Sequence, residues 1–146
     1  MKKINLFIDD KCDRLNENLC ESIIEKIFTN YNYNSYHINI IFTSDVYVSD
    51  LKKEYFLKDQ WTDVIAFPLE NTAEFIEGEI YISIPTAKKN AISYQEPYEK
   101  ELVRLIIHGS LHLLGIEDKS KEQKKKMNSL EEVFLNQVLW RELIEK

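Results

Sequence analysis

Cysteine is almost absent from this sequence. Cys12 and Cys20 are the only two in 146 residues, spaced eight apart in a stretch with helical periodicity. That spacing suits neither a disulfide framework nor a paired-cysteine zinc site, so both are read as core or flanking residues. Also missing is any apolar run near the roughly 20 residues needed to cross a bilayer, and no membrane partner is expected. The opening MKKINLFIDD meets acids after one short apolar run and lacks a secretory pattern, which makes the cytoplasm the expected location. With three glycines and three prolines, the chain has no repeat, linker or low-complexity tract. Positive charge is in deficit: 19 Lys and Arg against 25 Asp and Glu leave a net charge of −6. The whole-molecule field therefore repels nucleic acid, and a polyanionic substrate has to be drawn by a local basic patch or a metal.

What is present suffices for one core, since 44% of the residues are hydrophobic and the length is that of a single ordinary domain, residues 1–146. KKINLFIDD reads as an edge strand. LNENLCESIIEKIFTNY then sets Leu15, Leu19, Ile23, Ile24, Ile27 and Phe28 on one helical stripe. YHINIIFTSD alternates, with Ile38, Ile40 and Phe42 to one side, and Ser49 can cap a short helix over SDLKKEYFL. TDVIAFP and GEIYISIP read as neighbouring strands bounded by Pro68, Gly78 and Pro85, with an acidic loop between them. Pro85 can open a helix PTAKKNAIS, and PYEKELVRLIIHGSLHLLG reads as a long helix that Gly115 ends. Ser120 and Gln123 fit a capping box for a last helix with an apolar stripe of Met127, Leu130, Val133, Phe134 and Val138. The expected fold is α+β: a single domain with about four strands in one sheet covered by helices.

The segment HGSLHLLGIED, residues 108–118, carries the chemistry. Residues four apart on a helix are separated by about 400° and about 6 Å, so His108 and His112 project from one face and can chelate one ion. Leu105, Ile106, Ile107, Leu111, Leu113 and Leu114 surround them, and two imidazoles on so apolar a helix need polar partners. Gly109 leaves room for something to approach the backbone, and Gly115 lets the chain turn sharply and bring back Glu117 or Asp118 as a third ligand. Two histidines and a carboxylate suit a catalytic divalent ion with a further position for water; a closed structural site would want four ligands, usually with thiolates. The peptidase motif H-E-x-x-H has its base glutamate where this chain has Gly109, which argues against ordinary peptidase chemistry. No catalytic side chain is singled out beyond the ligands, with Glu117 the candidate base.

HGSLHLLG followed by an acid pair resembles the motif H-G-x-L-H-L-x-G-Y-D-H of the YbeY-type endoribonucleases, metal-dependent proteins linked to rRNA maturation and ribosome quality control. LKKEYFLKDQWTDVIAFP is similar to that family's L-N-x-x-Y-R-x-x-D-x-x-T-D-V-L-S-F-P segment. GEIYISIPTAKKNA resembles its G-D-I-x-I-S segment and the helix after it. The likeness runs from about residue 45 to residue 118. It implies a mixed four-stranded sheet with a metal site at the end of a central helix, held by His108, His112 and, where the family carries a third histidine, Asp118. A carboxylate there is a competent ligand, and it widens the choice from zinc, the expected metal, toward manganese or magnesium. Three further departures are Phe56 for an arginine able to clamp phosphate, Trp61 for a proline and Ala66 for a serine.

Replacement cations for a substrate phosphate are Lys52, Lys53 and Lys58, and Arg104, one turn before His108. KSKEQKKKM adds Lys119, Lys121, Lys124, Lys125 and Lys126; most of these suit the solvent face of the last helix, with Lys119 and Lys121 best placed to meet RNA. Asp63 and Glu79 are read as strand-end residues that could orient ligands. The expected function is a metal-dependent endoribonuclease acting on single-stranded ribosomal RNA, in contact with the ribosome. Its rivals are a metal-dependent amide hydrolase and a non-catalytic ribosome assembly factor with a structural metal.

Overall fold

The apolar periodicities resolve into one sheet and four helices in the computed structural model, which describes residues 1–9, 13–43, 64–72 and 74–145. Strand β1 (Lys2–Ile8) runs parallel to β2 (Ser35–Thr43), and α1 (Glu17–Asn30) makes the crossover that a parallel pair requires. Strands β3 (Val64–Asn71) and β4 (Phe75–Ser83) form an antiparallel hairpin, with β4 parallel to β2. The order β1-β2-β4-β3 leaves β1 at an edge, as its composition suggested, and β3 at the other. Helices α2 (Ile84–Tyr94), α3 (Tyr98–Leu113) and α4 (Lys121–Leu135) follow, with a 3-10 turn at Trp140–Glu142.

Alternation decides which face of the sheet is covered. Tyr36, Ile38, Ile40 and Phe42 of β2 are buried, as are Ile76, Gly78, Ile80 and Ile82 of β4, and the residues between them are half-buried. The stripe of α1 closes on this face, with Ile24, Ile27 and Phe28 fully buried. Helix α3 lies against β3 and β4 and touches α1, α2, α4 and the 3-10 turn, so it is the central helix. Local signals set the helix starts: Asn16 accepts from the Leu19 amide at 3.1 Å, Ser83 caps α2 with Pro85 in its first turn, and Ser120 and Gln123 form the capping box of α4. Cys20 is buried among these residues, and that burial, with Glu17 and Glu21 nearby, pushes its thiol up to about 12, an inert packing group. Cys12, Ser49 with its short helix, Lys52, Lys53, Phe56, Lys58, Trp61 and Asp63 lie outside the described residues.

Two boundaries differ from the sequence reading. The acidic stretch between Pro68 and Gly78 is mostly strand: β3 continues through Pro68 to Asn71, and β4 already begins at Phe75. Pro68 is tolerated because β3 is an edge strand, and the register slips between Pro68 and Glu70. The stripe of α4 also differs, since Met127, Glu131, Phe134 and Leu135 face inward while Val133 is exposed. Val138 lies beyond the helix, packed on the core.

Gly109 owes its identity to packing. A methyl group there would stand 2.6 Å from Ile80 Cγ2 and 3.3 Å from Val64 Cγ2, because α3 presses on the sheet at this point. What approaches the backbone at Gly109 is thus the side chains of Val64 on β3 and Ile80 on β4. Gly109→Ala is expected to lose about 1–3 kcal/mol of stability through overpacking. Urea unfolding measures this, and an unchanged midpoint would refute the close packing of α3 on β4.

Candidate metal centre

Helix α3 carries both histidines in its last two turns and then stops in a way that places the third residue. Gly115 has φ +90°, its amide donates to the His112 carbonyl at 2.9 Å, and the Ile116 amide donates to the Leu111 carbonyl at 3.1 Å. This pair of bonds is a Schellman stop, which needs a left-handed residue and here uses glycine. The chain doubles back, and Asp118 faces the two imidazoles just before Ser120 starts α4.

Three donor groups converge. His108 Nε2 and His112 Nε2 are 3.0 Å apart; Asp118 lies 3.3 Å from the first through Oδ2 and 3.5 Å from the second through Oδ1. All three side chains are half-buried, and their ligand atoms lie within 4.8 Å of one another, so the group could hold a metal ion. The edges of a tetrahedron with arms of about 2.1 Å are roughly 3.4 Å, the spacing of these atoms.

The hydrogen bonds around the ring nitrogens support the same reading. His108 Nδ1 is 2.6 Å from Glu131 Oε2, so Nδ1 carries the proton and Nε2 keeps its lone pair for the centre. His112 is bonded to the backbone of Ile116, and burial, reinforced by the neighbouring His108, holds its pKa below the ordinary 6.5 against the opposing pull of Asp118. It therefore stays neutral, as a ligand must, at a lower pH than a free histidine. Lone pairs of two neutral rings and a carboxylate aimed at one point repel unless a cation lies between them, and the donor set fits a divalent ion.

The other candidates have different settings. Glu117, the alternative third ligand, is outside the cluster and 3.9 Å from the Lys119 ammonium. Lys119 is 83% exposed at its side chain, and Lys121 stands exposed in the first turn of α4. Glu79 accepts the Tyr81 hydroxyl at 3.2 Å. The remaining histidine, His37, belongs to the sheet, where its Nδ1 is 3.1 Å from Glu77.

Arg104, expected to meet a substrate phosphate, is held by two carboxylates. Its guanidinium lies on Glu101 through Nε at 2.8 Å and through Nη2, and on Glu131 through Nη1 at 3.0 Å. Burial opposes its charge, but hydrogen bonding and attraction from Glu101, with help from Glu131, raise its pKa further above the usual value. Glu101 and Glu131 are each 2% exposed. Sequence reasoning missed both. The available signal for Glu131 was an acid four residues after Met127 and three before Phe134, on the apolar stripe.

The chain matches the family model described as endoribonuclease YbeY over residues 4–139. Among curated relatives, the endoribonuclease YbeY of Persephonella marina is 38% identical over 119 residues, 77% of this chain and 78% of that one. The endoribonuclease YbeY of Porphyromonas gingivalis is 34% identical over 145 residues, 99% and 94% of the two chains. A Thermotoga maritima protein known from its solution structure superposes with a TM-score of 0.58 at 31% identity, covering 94% of this chain and 91% of that one.

Proposed function

Since the chain belongs to the YbeY endoribonuclease family, we propose that it is an endoribonuclease cutting single-stranded stretches of ribosomal RNA. The role is in rRNA maturation and ribosome quality control in the cytoplasm, with one divalent ion held by His108, His112 and Asp118. The observation that carries the proposal is the convergence of two imidazole nitrogens and a carboxylate at 3.0–3.5 Å spacing. Residues 1–146 act as one catalytic domain.

Each residue has a stated task. His108 and His112 offer neutral nitrogen, and Asp118 offers a harder, anionic oxygen, so zinc is favoured while manganese and magnesium are admitted. The ion, when bound, supplies Lewis-acid stabilisation of charge on the phosphodiester. Lys119 and Lys121, with Lys52 and Lys58, are the cations proposed to meet the RNA backbone. Arg104 is left out of that set because two buried carboxylates already occupy it. Glu117 has the exposure a proton acceptor needs and remains the candidate base. Amide hydrolysis has no support at position 109, where a base would have to replace a glycine pressed against Ile80.

The test is cleavage of one RNA presented single-stranded and as a duplex, by untreated, chelator-treated and zinc-restored protein. The single strand is expected to be cut by the first and third preparations alone. Cleavage that survives chelation undiminished would count against a metal-dependent nuclease.

A further inference from the structure

Charge does not balance in the buried cluster behind His108. Glu101 and Glu131, both 2% exposed, share the guanidinium of Arg104, which among the described residues leaves one negative charge in excess. The neutral amide of Asn90, 3.5 Å from Glu101, does nothing to offset it. A buried charge without a counterpart is costly. Arg104 needs only one carboxylate, and Glu101 supplies that with two contacts. The second carboxylate has to answer to something else. Its other oxygen, Oε2, lies 2.6 Å from His108 Nδ1, and the far side of that ring faces the candidate ion.

We propose that Glu131 is a positioning residue for the metal site: Arg104 orients its carboxylate, and the carboxylate fixes the His108 ring with Nε2 free for the ion and supplies negative charge toward it. This rests on the metal reading of His108, His112 and Asp118. The division of labour follows from the geometry. Oε1 accepts from Arg104 Nη1 and cannot swing toward His108, while among the described residues Oε2 has only the imidazole to accept from. An outer carboxylate of this kind orients a ligand ring and raises its basicity. Glutamine cannot replace it. If its carbonyl oxygen accepts from Arg104, its NH2 group faces Nδ1 and drives the proton to Nε2, which blocks the ligand atom; the flipped amide sets donor against donor at Arg104.

The test uses Co2+ as the probe. Its affinity for the full chain is measured by competition with a chromophoric chelator, alongside circular dichroism of the metal-free protein. Glu131→Gln is expected to bind Co2+ about 10–100-fold more weakly than wild type. Glu131→Asp keeps the charge that Arg104 needs but draws the oxygen back from His108, and should weaken binding in the same direction even where the Gln variant folds poorly. Ile24→Val, a truncation in the core distant in sequence from the site, controls for lowered stability and should bind as wild type does. Glu131 variants that bind Co2+ within twofold of wild type overturn this inference alone, as does an equal loss in Ile24→Val. A wild-type chain that takes up no Co2+, or a His112→Ala variant that binds it equally well, overturns the metal reading and the inference together.

Discussion

His112→Ala is expected to slow cleavage of single-stranded RNA by about a thousandfold. The reasoning starts from what the ring contributes. Its Nε2 is 3.0 Å from His108 Nε2 and 3.5 Å from Asp118, so removing it leaves two candidate ligands where three converged. A divalent ion supplies several kcal/mol of charge stabilisation in phosphoryl chemistry, and about 1.4 kcal/mol is worth a factor of ten, hence the thousandfold figure. Stability should change little by comparison, because the side chain is 29% exposed and its loss opens no sealed cavity. Single-turnover cleavage with elemental analysis of the same samples makes the measurement. Asp118→Ala run in parallel should also lose metal; full metal content in that variant would remove Asp118 from the ligand set. A His112→Ala protein that cleaves as fast as wild type with a full complement of metal would falsify the assignment.

Different parts of this site were readable from sequence to different degrees, for physical reasons. His108 and His112 were readable because a helix fixes the relation of residues four apart whatever surrounds it. Asp118 was not separable from Glu117 by spacing, since adjacent residues past a helix end reach different places depending on one turn. That turn is the left-handed step at Gly115 with its two hydrogen bonds to Leu111 and His112, and it puts Asp118 inward and Glu117 beside Lys119. Glu131 was the hardest to see. It sits in a helix full of lysines, 23 and 27 residues from its partners His108 and Arg104, and nothing local gives it a task. The same blindness moved Val133 inward in the sequence reading: apolar character argued for the core, while the geometry of α4 assigned that face to an acid. At β3, Pro68 read as a terminator, but an edge strand carries the missing amide without loss and runs on to Asn71.

Arg104→Ala is expected to be the most destabilising single change at the cluster. Glu101 and Glu131, each 2% exposed in the intact protein, would lose their shared cation. Breaking a buried ion pair from one side costs about 3–5 kcal/mol, a large part of the roughly 5–15 kcal/mol that holds a domain together. Urea unfolding measures this, and a loss below about 1 kcal/mol would show that water reaches the carboxylates. The reason for keeping such a cluster is then open to a second comparison. A triple variant with leucine at 101, 104 and 131 removes all three charges, and apolar replacement of a whole buried ionic group is often neutral or stabilising. The triple variant should therefore regain most of the stability that Arg104→Ala loses while binding metal no better than Glu131→Gln. If it regains stability and binds metal as wild type does, the charges serve neither stability nor the ion. If it regains stability and loses the ion, the acid on the inner face of α4 is there for His108, and the exposed Val133 follows from that placement.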